Sequence, residues 1–190
     1  MTKNRLEAFS DGVIAIIITI MVLELGVPHA PELAALIPLI PIFLSYVLSF
    51  VIVGMWWNNH HHLLHAVKQI NGRVLWANML LLFWLSLFPF TTAWMGENNF
   101  AATPVAIYGG VLLLAAISYN ILVRVLISIP ANEGLAHALG SDLKGKISIG
   151  LYAVAIPLAF VSPWISCALY VAVAIIWFIP DRRIEQNVER

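Results

Sequence analysis

Between Glu32 and Lys68 the chain carries no formal charge, and most of that stretch is aliphatic or aromatic. It exceeds the roughly 20 apolar residues that a helix needs to cross a bilayer. A helix starting near Leu33 therefore crosses the membrane and projects beyond it with Trp56, Trp57 and four histidines. Composition points the same way. Hydrophobic residues make up 61% of the chain and charged residues 11%, and a mean hydropathy of +0.90 lies outside the soluble range. The sequence predicts an all-α, polytopic membrane protein.

Spans are predicted at about 5–26, 33–60, 73–94 and 100–129, separated by Val27-Pro28, by the polar end of the second span, and by the turn-like Met95-Gly96-Glu97-Asn98-Asn99. Glu7 and Asp11 interrupt the start of the first span and no small-residue cleavage site follows it, so it is expected to stay as a span and not be removed as a signal peptide. The apolar stretch Ile147 to Pro180 fits either one tilted helix or two short ones meeting at Ser162-Pro163. Charge decides between them. With two spans, at 144–161 and 164–180, all ten Lys and Arg fall on one side: Lys3, Arg5, Lys68, Arg73, Arg124, Lys144, Lys146, Arg182, Arg183 and Arg190. A single span would carry the last three across the membrane, against the positive-inside rule. The expectation is six spans with both termini cytoplasmic, a single membrane domain over 1–190 with no extramembrane domain, and residence in the cell (inner) membrane.

Several function classes drop out. A formal net charge of zero with scattered basic residues argues against nucleic-acid binding. Cys167 is a single cysteine in an apolar run, so no disulfide framework forms within one chain; it reads as a small membrane-buried hydrophobe. Ser45, Ser49, Ser86 and Ser118 stand on apolar helices without a base at a suggestive spacing, so no catalytic residue is expected. Glu133, His137 and Asp142 read as solvated loop residues.

The first span mixes charge with an aliphatic run. Arg5 and Asp11 are costly there, by about 2.5–3.5 kcal/mol each on insertion scales, and such groups are kept mainly where they meet partners or an ion path. Residues three and four apart share a helical face, so Arg5, Phe9, Gly12, Ile16, Thr19, Ile20 and Leu23 form one stripe. That stripe either packs against lipid and neighbouring helices or, in four copies around an axis, stacks Ile16, Ile20 and Leu23 as apolar rings with Thr19 hydroxyls between them. Arg5 and Asp11 lie about 600° apart along the helix and point to different faces. Each needs a partner elsewhere, supplied by the Trp56–His65 segment or by Asn78, unless Arg5 snorkels to headgroups. Glu24, just beyond Leu23, could form a cation-concentrating ring at the pore mouth; it is equally placed to bond a neighbouring helix or face water.

His60, His61, His62 and His65 have a metal-like look, since His61 and His65 are one turn apart. A zinc site wants further ligands and an outer shell, no cysteine is near, and the closest acids in sequence expected on the cytoplasmic side are Glu7 and Asp11. The expectation is no metal and no cofactor. A structural network with Asp11 or Ser10 is the favoured reading, and imidazole titration near neutrality would make it pH-sensitive.

The pattern Arg5-x-x-x-Phe9-Ser10-Asp11-Gly12, with Trp57-Asn58-Asn59-His60-His61-His62, Asn78 and Leu87-Phe88-Pro89-Phe90-Thr91, resembles the transmembrane-protein-175 family of endolysosomal and prokaryotic potassium channels. Asn71 departs from it, standing where an acid is common. Only one Phe-Ser-Asp run occurs, so the chain is similar to the single six-helix unit of prokaryotic members. The resemblance implies a homotetrameric channel in the lipid bilayer that passes potassium ions, with the first helix lining the pore. Ile16 would be the main constriction, Thr19 the hydroxyl that influences selectivity, and Ile20 and Leu23 further rings. Arg5, Phe9, Ser10, Asp11, Trp57, His60, His61, His62 and Asn78 would be structural. In keeping with that family, no Thr-Val-Gly-Tyr-Gly filter loop is present. The alternative is a proton-coupled transporter or proton channel using Asp11 and the His60–His65 cluster.

Overall fold

The computed structural model describes residues 2–135 and 143–178. Among them every regular element is a helix: α1 (Lys3–Leu23), α2 (Ile40–His65), α3 (Gly72–Ser86), α4 (Phe88–Glu97), α5 (Ala102–Ile127), α6 (Leu143–Leu158) and α7 (Pro163–Phe178), with short 3₁₀ turns at Leu33–Leu39 and Pro130–Asn132. His137, Asp142 and the arginines at 182, 183 and 190 lie outside the described residues, and so does the charge on which the C-terminal topology rests.

Prolines mark several of the breaks. The second span starts as a 3₁₀ helix at Leu33, which contains Pro38, and becomes α-helical only at Ile40, with Pro41 in the first turn, where its missing N–H costs no intrahelical bond. The third span is not one continuous helix, as its apolar run suggests. Pro89 removes a backbone donor and crowds the carbonyl one turn earlier, and the helix breaks at Leu87 into α3 and α4. Thr91 then donates its hydroxyl to the carbonyls of Leu87 and Phe88 at 3.1 and 3.3 Å. The segments α1, Leu33–His65, Gly72–Glu97 and α5 are long and apolar enough to cross a membrane. The last apolar stretch folds as two 16-residue helices, α6 and α7, separated at Ala159–Ser162. Each is about 24 Å long at 1.5 Å per residue.

The helices pack around α5, which contacts α3, α4, α6 and α7. In contrast, α1 lies against α2, α3 and α4. Buried polar groups tie the layers. Ser49 on α2 accepts from Thr92 on α4 at 2.7 Å and shares a hydrogen bond of 3.0 Å with Tyr108 on α5. At one end of the bundle the buried Asn132 accepts from the backbone N–H groups of Lys68 and Gln69, each at 3.0 Å, and donates to the carbonyls of Gln69 and Leu126. It pins the α2–α3 turn to the end of α5. Cys167 is buried.

Between α4 and α5 the chain reverses through two left-handed residues, Asn99 (φ 49°) and Phe100 (φ 58°). A bulky residue in that region costs about 1–2 kcal/mol. Burial of Phe100 and its stacking on Trp164, with centroids 5.2 Å apart, oppose that cost.

Close helix approach depends on two glycines, as expected where lipid supplies no hydrophobic drive between helices and packing must do so. A Cβ on Gly96 would come within 2.7 Å of Ile42 Cα, and one on Gly109 would strike the Tyr170 hydroxyl, which donates to Val105 O at 3.0 Å. Gly96→Ala and Gly109→Ala are expected to destabilise by about 1–3 kcal/mol through overpacking. The fall should appear as a lower Tm of purified protein in detergent. Gly150→Ala, where a Cβ meets nothing within 4 Å, should not lower it.

Candidate functional site

Helical periodicity divides α1 into two faces. Leu6, Ser10, Ile14, Ile17 and Met21 are buried against the other helices. Arg5, Phe9, Gly12, Ile16, Thr19, Ile20 and Leu23 are all exposed in the single chain. The apolar members are far from covered: Ile16 is 57% exposed and Leu23 76%. Thr19 donates its hydroxyl hydrogen to Ile16 O at 2.9 Å, which leaves its oxygen able to accept. Glu24 is the C-cap residue of α1 and is exposed.

The packed face is fastened by a buried hydrogen-bond chain whose polarity can be worked out. Ser10 donates to Leu6 O at 2.8 Å, so its oxygen accepts from Asn78 Nδ2 at 2.9 Å. That fixes the amide, and Asn78 Oδ1 faces His60 Nε2 at 2.7 Å. His60 must therefore carry a proton on Nε2 and donate. Ser10, Asn78 and His60 are almost wholly buried, at 0%, 0% and 1% exposure. An unpartnered group at this depth would cost the desolvation of the group it strands.

A second tie runs along the surface. Trp57 Nε1 donates to Asp11 Oδ1 at 2.9 Å. His61 stacks on Trp57 at 5.9 Å and His65 on His61 at 6.0 Å, one helical turn at a time along α2. Lys3 donates to the His65 carbonyl at 3.0 Å and sits 3.8 Å from Glu7. A lysine at an orphan carbonyl of a helix C-terminus also opposes the helix dipole.

The residues singled out from sequence thus separate. Asp11, Trp57, Ser10, Asn78 and His60 come together in two ties between α1 and the helices behind it. His61 and His62 reach neither Asp11 nor Ser10; His61 stacks in the ladder and His62 meets it edge-on at 5.6 Å. Arg5 makes no hydrogen bond or ion pair among the described residues and stands on the exposed face. No group of three or more His, Cys, Asp or Glu is placed to hold a metal among those residues. Asn71, the departure from the family pattern, caps α3, accepting from the N–H groups of Arg73 and Val74. Of the serines that stand apart in sequence, Ser45, Ser86 and Ser118 bond back to their own helices, whereas Ser49 joins Thr92 and Tyr108. The Lys3 clip and the Thr92–Ser49–Tyr108 cluster escaped the sequence reading. The hydroxyls of Thr92 and Tyr108 in apolar runs were the available signal for the cluster.

Breaking the buried chain should cost more than breaking the surface one. Asn78→Ala strands a donor at His60 and is expected to lose about 1–3 kcal/mol. Trp57→Phe, at a half-exposed site, should lose less. Thermal unfolding of the two variants in detergent compares them.

The chain matches the family model described as endosomal/lysosomal potassium channel TMEM175 over residues 5–89. A potassium channel of Chryseobacterium sp. (strain P1-3) is 53% identical over 100% of this chain and 99% of its own length. The crystal structure of a lysosomal potassium-selective channel TMEM175 homolog from Chamaesiphon minutus superposes with a TM-score of 0.82 at 30% identity, covering 94% of this chain and 97% of that one. The human endosomal/lysosomal proton channel TMEM175 is 33% identical over 55% of this chain and 23% of its own length. With Ser10, Asp11, Trp57, His60 and Asn78 gathered between α1, α2 and α3, and a full-length relative at this identity, the chain belongs to the TMEM175 family, whose members are ion channels and not enzymes.

Proposed function

We propose that this chain forms a homotetrameric, potassium-favouring cation channel whose pore is lined by α1. The observation that carries this reading is the uncovered stripe of Ile16, Thr19, Ile20 and Leu23 on a helix whose other face is firmly fastened. A stripe on the outside of one chain becomes a pathway only when several copies surround an axis. Potassium is the cargo named for the bacterial relatives, and no cofactor is needed for passive permeation.

In such a ring Ile16 forms the main hydrophobic constriction and gates by dewetting. Thr19, held by its bond to Ile16 O, presents oxygen to a passing cation one turn further on. Ile20 and Leu23 continue the apolar wall, and Glu24 closes it with carboxylates at the mouth. Arg5, Phe9, Ser10, Asp11, Trp57, His60, His61, His62 and Asn78 hold or flank the helix and do not ligate ions. The topology belongs to the same reading: six crossings in one domain of the cell membrane, by α1, α2, α3 with α4, α5, α6 and α7, and both termini cytoplasmic.

The proton reading draws on the name of the mammalian relatives. Its weak point is geometric. Between Ser10 and His60 stands the amide of Asn78, which does not exchange a proton readily near neutral pH, and Asp11 is bonded to Trp57 and not to a histidine.

Purified protein in planar bilayers, with potassium opposed to sodium, should give a reversal potential shifted toward potassium. Proton flux with silence to both cations would favour the Asp11 and histidine alternative. Ile16→Asn should wet the constriction and raise current several-fold; unchanged current in a folded variant would remove Ile16 from the gate. Glu24→Gln should reduce conductance at low salt, where a ring of carboxylates concentrates cations most, and an unaltered current would remove Glu24 from the mouth.

A further inference from the structure

Behind the turn of α2 that holds α1, a small cavity with room of about 20 Å³ lies between α2, α5, α6 and α7, lined by Trp56, Asn59, Tyr119, Ser148, Tyr152 and Trp177 among others. Most of the polar hydrogens in its wall are spent. Trp177 Nε1 donates to Ser148 Oγ at 2.8 Å and Ser148 to Lys144 O at 2.8 Å. Tyr119 donates to Asn59 O at 3.2 Å, and Asn59 Nδ2 to Met55 O at 2.9 Å. Two groups are not spent. Trp56 Nε1 and the Tyr152 hydroxyl are buried with no hydrogen-bond partner among the described residues, and their side chains are only 7% and 1% exposed.

We infer that this cavity is a binding site for an ordered internal water, which accepts from Trp56 Nε1–H and bonds the Tyr152 hydroxyl, joining α2 to α6. The volume matches one molecule, since about 10–15 Å³ of this kind of space is enough for a water and two to four polar partners hold it. An indole N–H can only donate, which disfavours a bare cation. Among the described residues no charged side chain lines the cavity, which disfavours a buried anion. The water site braces the back of a helical turn whose front, through Trp57, holds Asp11 of α1.

Tyr152→Phe removes one oxygen and little else, so it separates the two possibilities by sign. If the hydroxyl is stranded, its removal relieves a penalty and raises Tm; if it holds water, Tm falls by a few degrees. The assembled protein in detergent is the sample, with Tyr152→Phe measured alone and in a Trp56→Phe background. The inference expects a fall in the first case and a much smaller one in the second, because the shared water has already lost a partner. A rise, no change, or an equal fall in both backgrounds overturns it, the last being the result if Trp56 N–H is spent on the ring of Tyr119, which meets it edge-on at 5.6 Å. A wild-type map at a resolution that shows waters gives an answer that needs no variant. Density within hydrogen-bond distance of both groups supports the site, and none, or an elongated apolar molecule, refutes it.

Discussion

The bundle depends on one requirement: a polar group that anchors its first helix must not be left without a hydrogen-bond partner. The chain from His60 through Asn78 and Ser10 to the Leu6 carbonyl meets it with a single direction of donation. Because Asn78 and Ser10 each accept one hydrogen and donate another, the position of α1 relative to α2 and α3 is specified by bond direction as well as by shape. An aliphatic interface alone would tolerate sliding, since lipid tails are as apolar as leucine and give no hydrophobic preference for one register. The bonds of Lys3 to His65 O and of Trp57 to Asp11 add points of attachment along the same seam.

Fastening one face of α1 is what frees the other. A helix held by its own apolar stripe would have to bury that stripe within the chain. Here the buried face carries the polar anchors near one end and aliphatic contacts above them, so Ile16, Thr19, Ile20 and Leu23 are left uncovered. In the proposed tetramer the same residues meet their counterparts across an axis. The rigid backing matters to such a gate, because a hydrophobic constriction switches between wet and dry over small changes in radius, and a loosely held helix would blur that threshold.

How much of this was legible in the sequence varies by element. The apolar run from Leu33 announces a membrane helix, yet its first turns are 3₁₀ and the α-helix starts only at Ile40, with Pro41 in its first turn, a local detail that hydropathy does not carry. The run from Arg73 to Trp94 reads as one span, but Pro89 divides it, a local effect that hydropathy averages away. The stripe on α1 follows from spacing alone, and its members share one exposed face. The histidine run reads as one cluster in sequence and divides in the structure, since successive helical residues point about 100° apart: His60 turns inward to Asn78, whereas His61 stacks on Trp57 and His65 and meets His62 edge-on.

The sequence by itself determined the class and the grammar of the molecule: apolar segments of spanning length, one ion-bearing first helix, and the residue types able to anchor it. Those are properties of composition and of a 3.6-residue repeat, both of which are local. Only the tertiary structure decided who bonds whom. Asn78 lies 68 residues from Ser10 and 18 from His60, and no spacing rule brings them together. Their meeting depends on how closely α1, α2 and α3 approach, which is set by packing across the whole bundle, down to Gly96, which admits the backbone of Ile42, and Gly109, which makes room for the Tyr170 ring. The same packing leaves Arg5 on the open face without a partner among the described residues, where the sequence allows either a partner on another helix or snorkelling to headgroups.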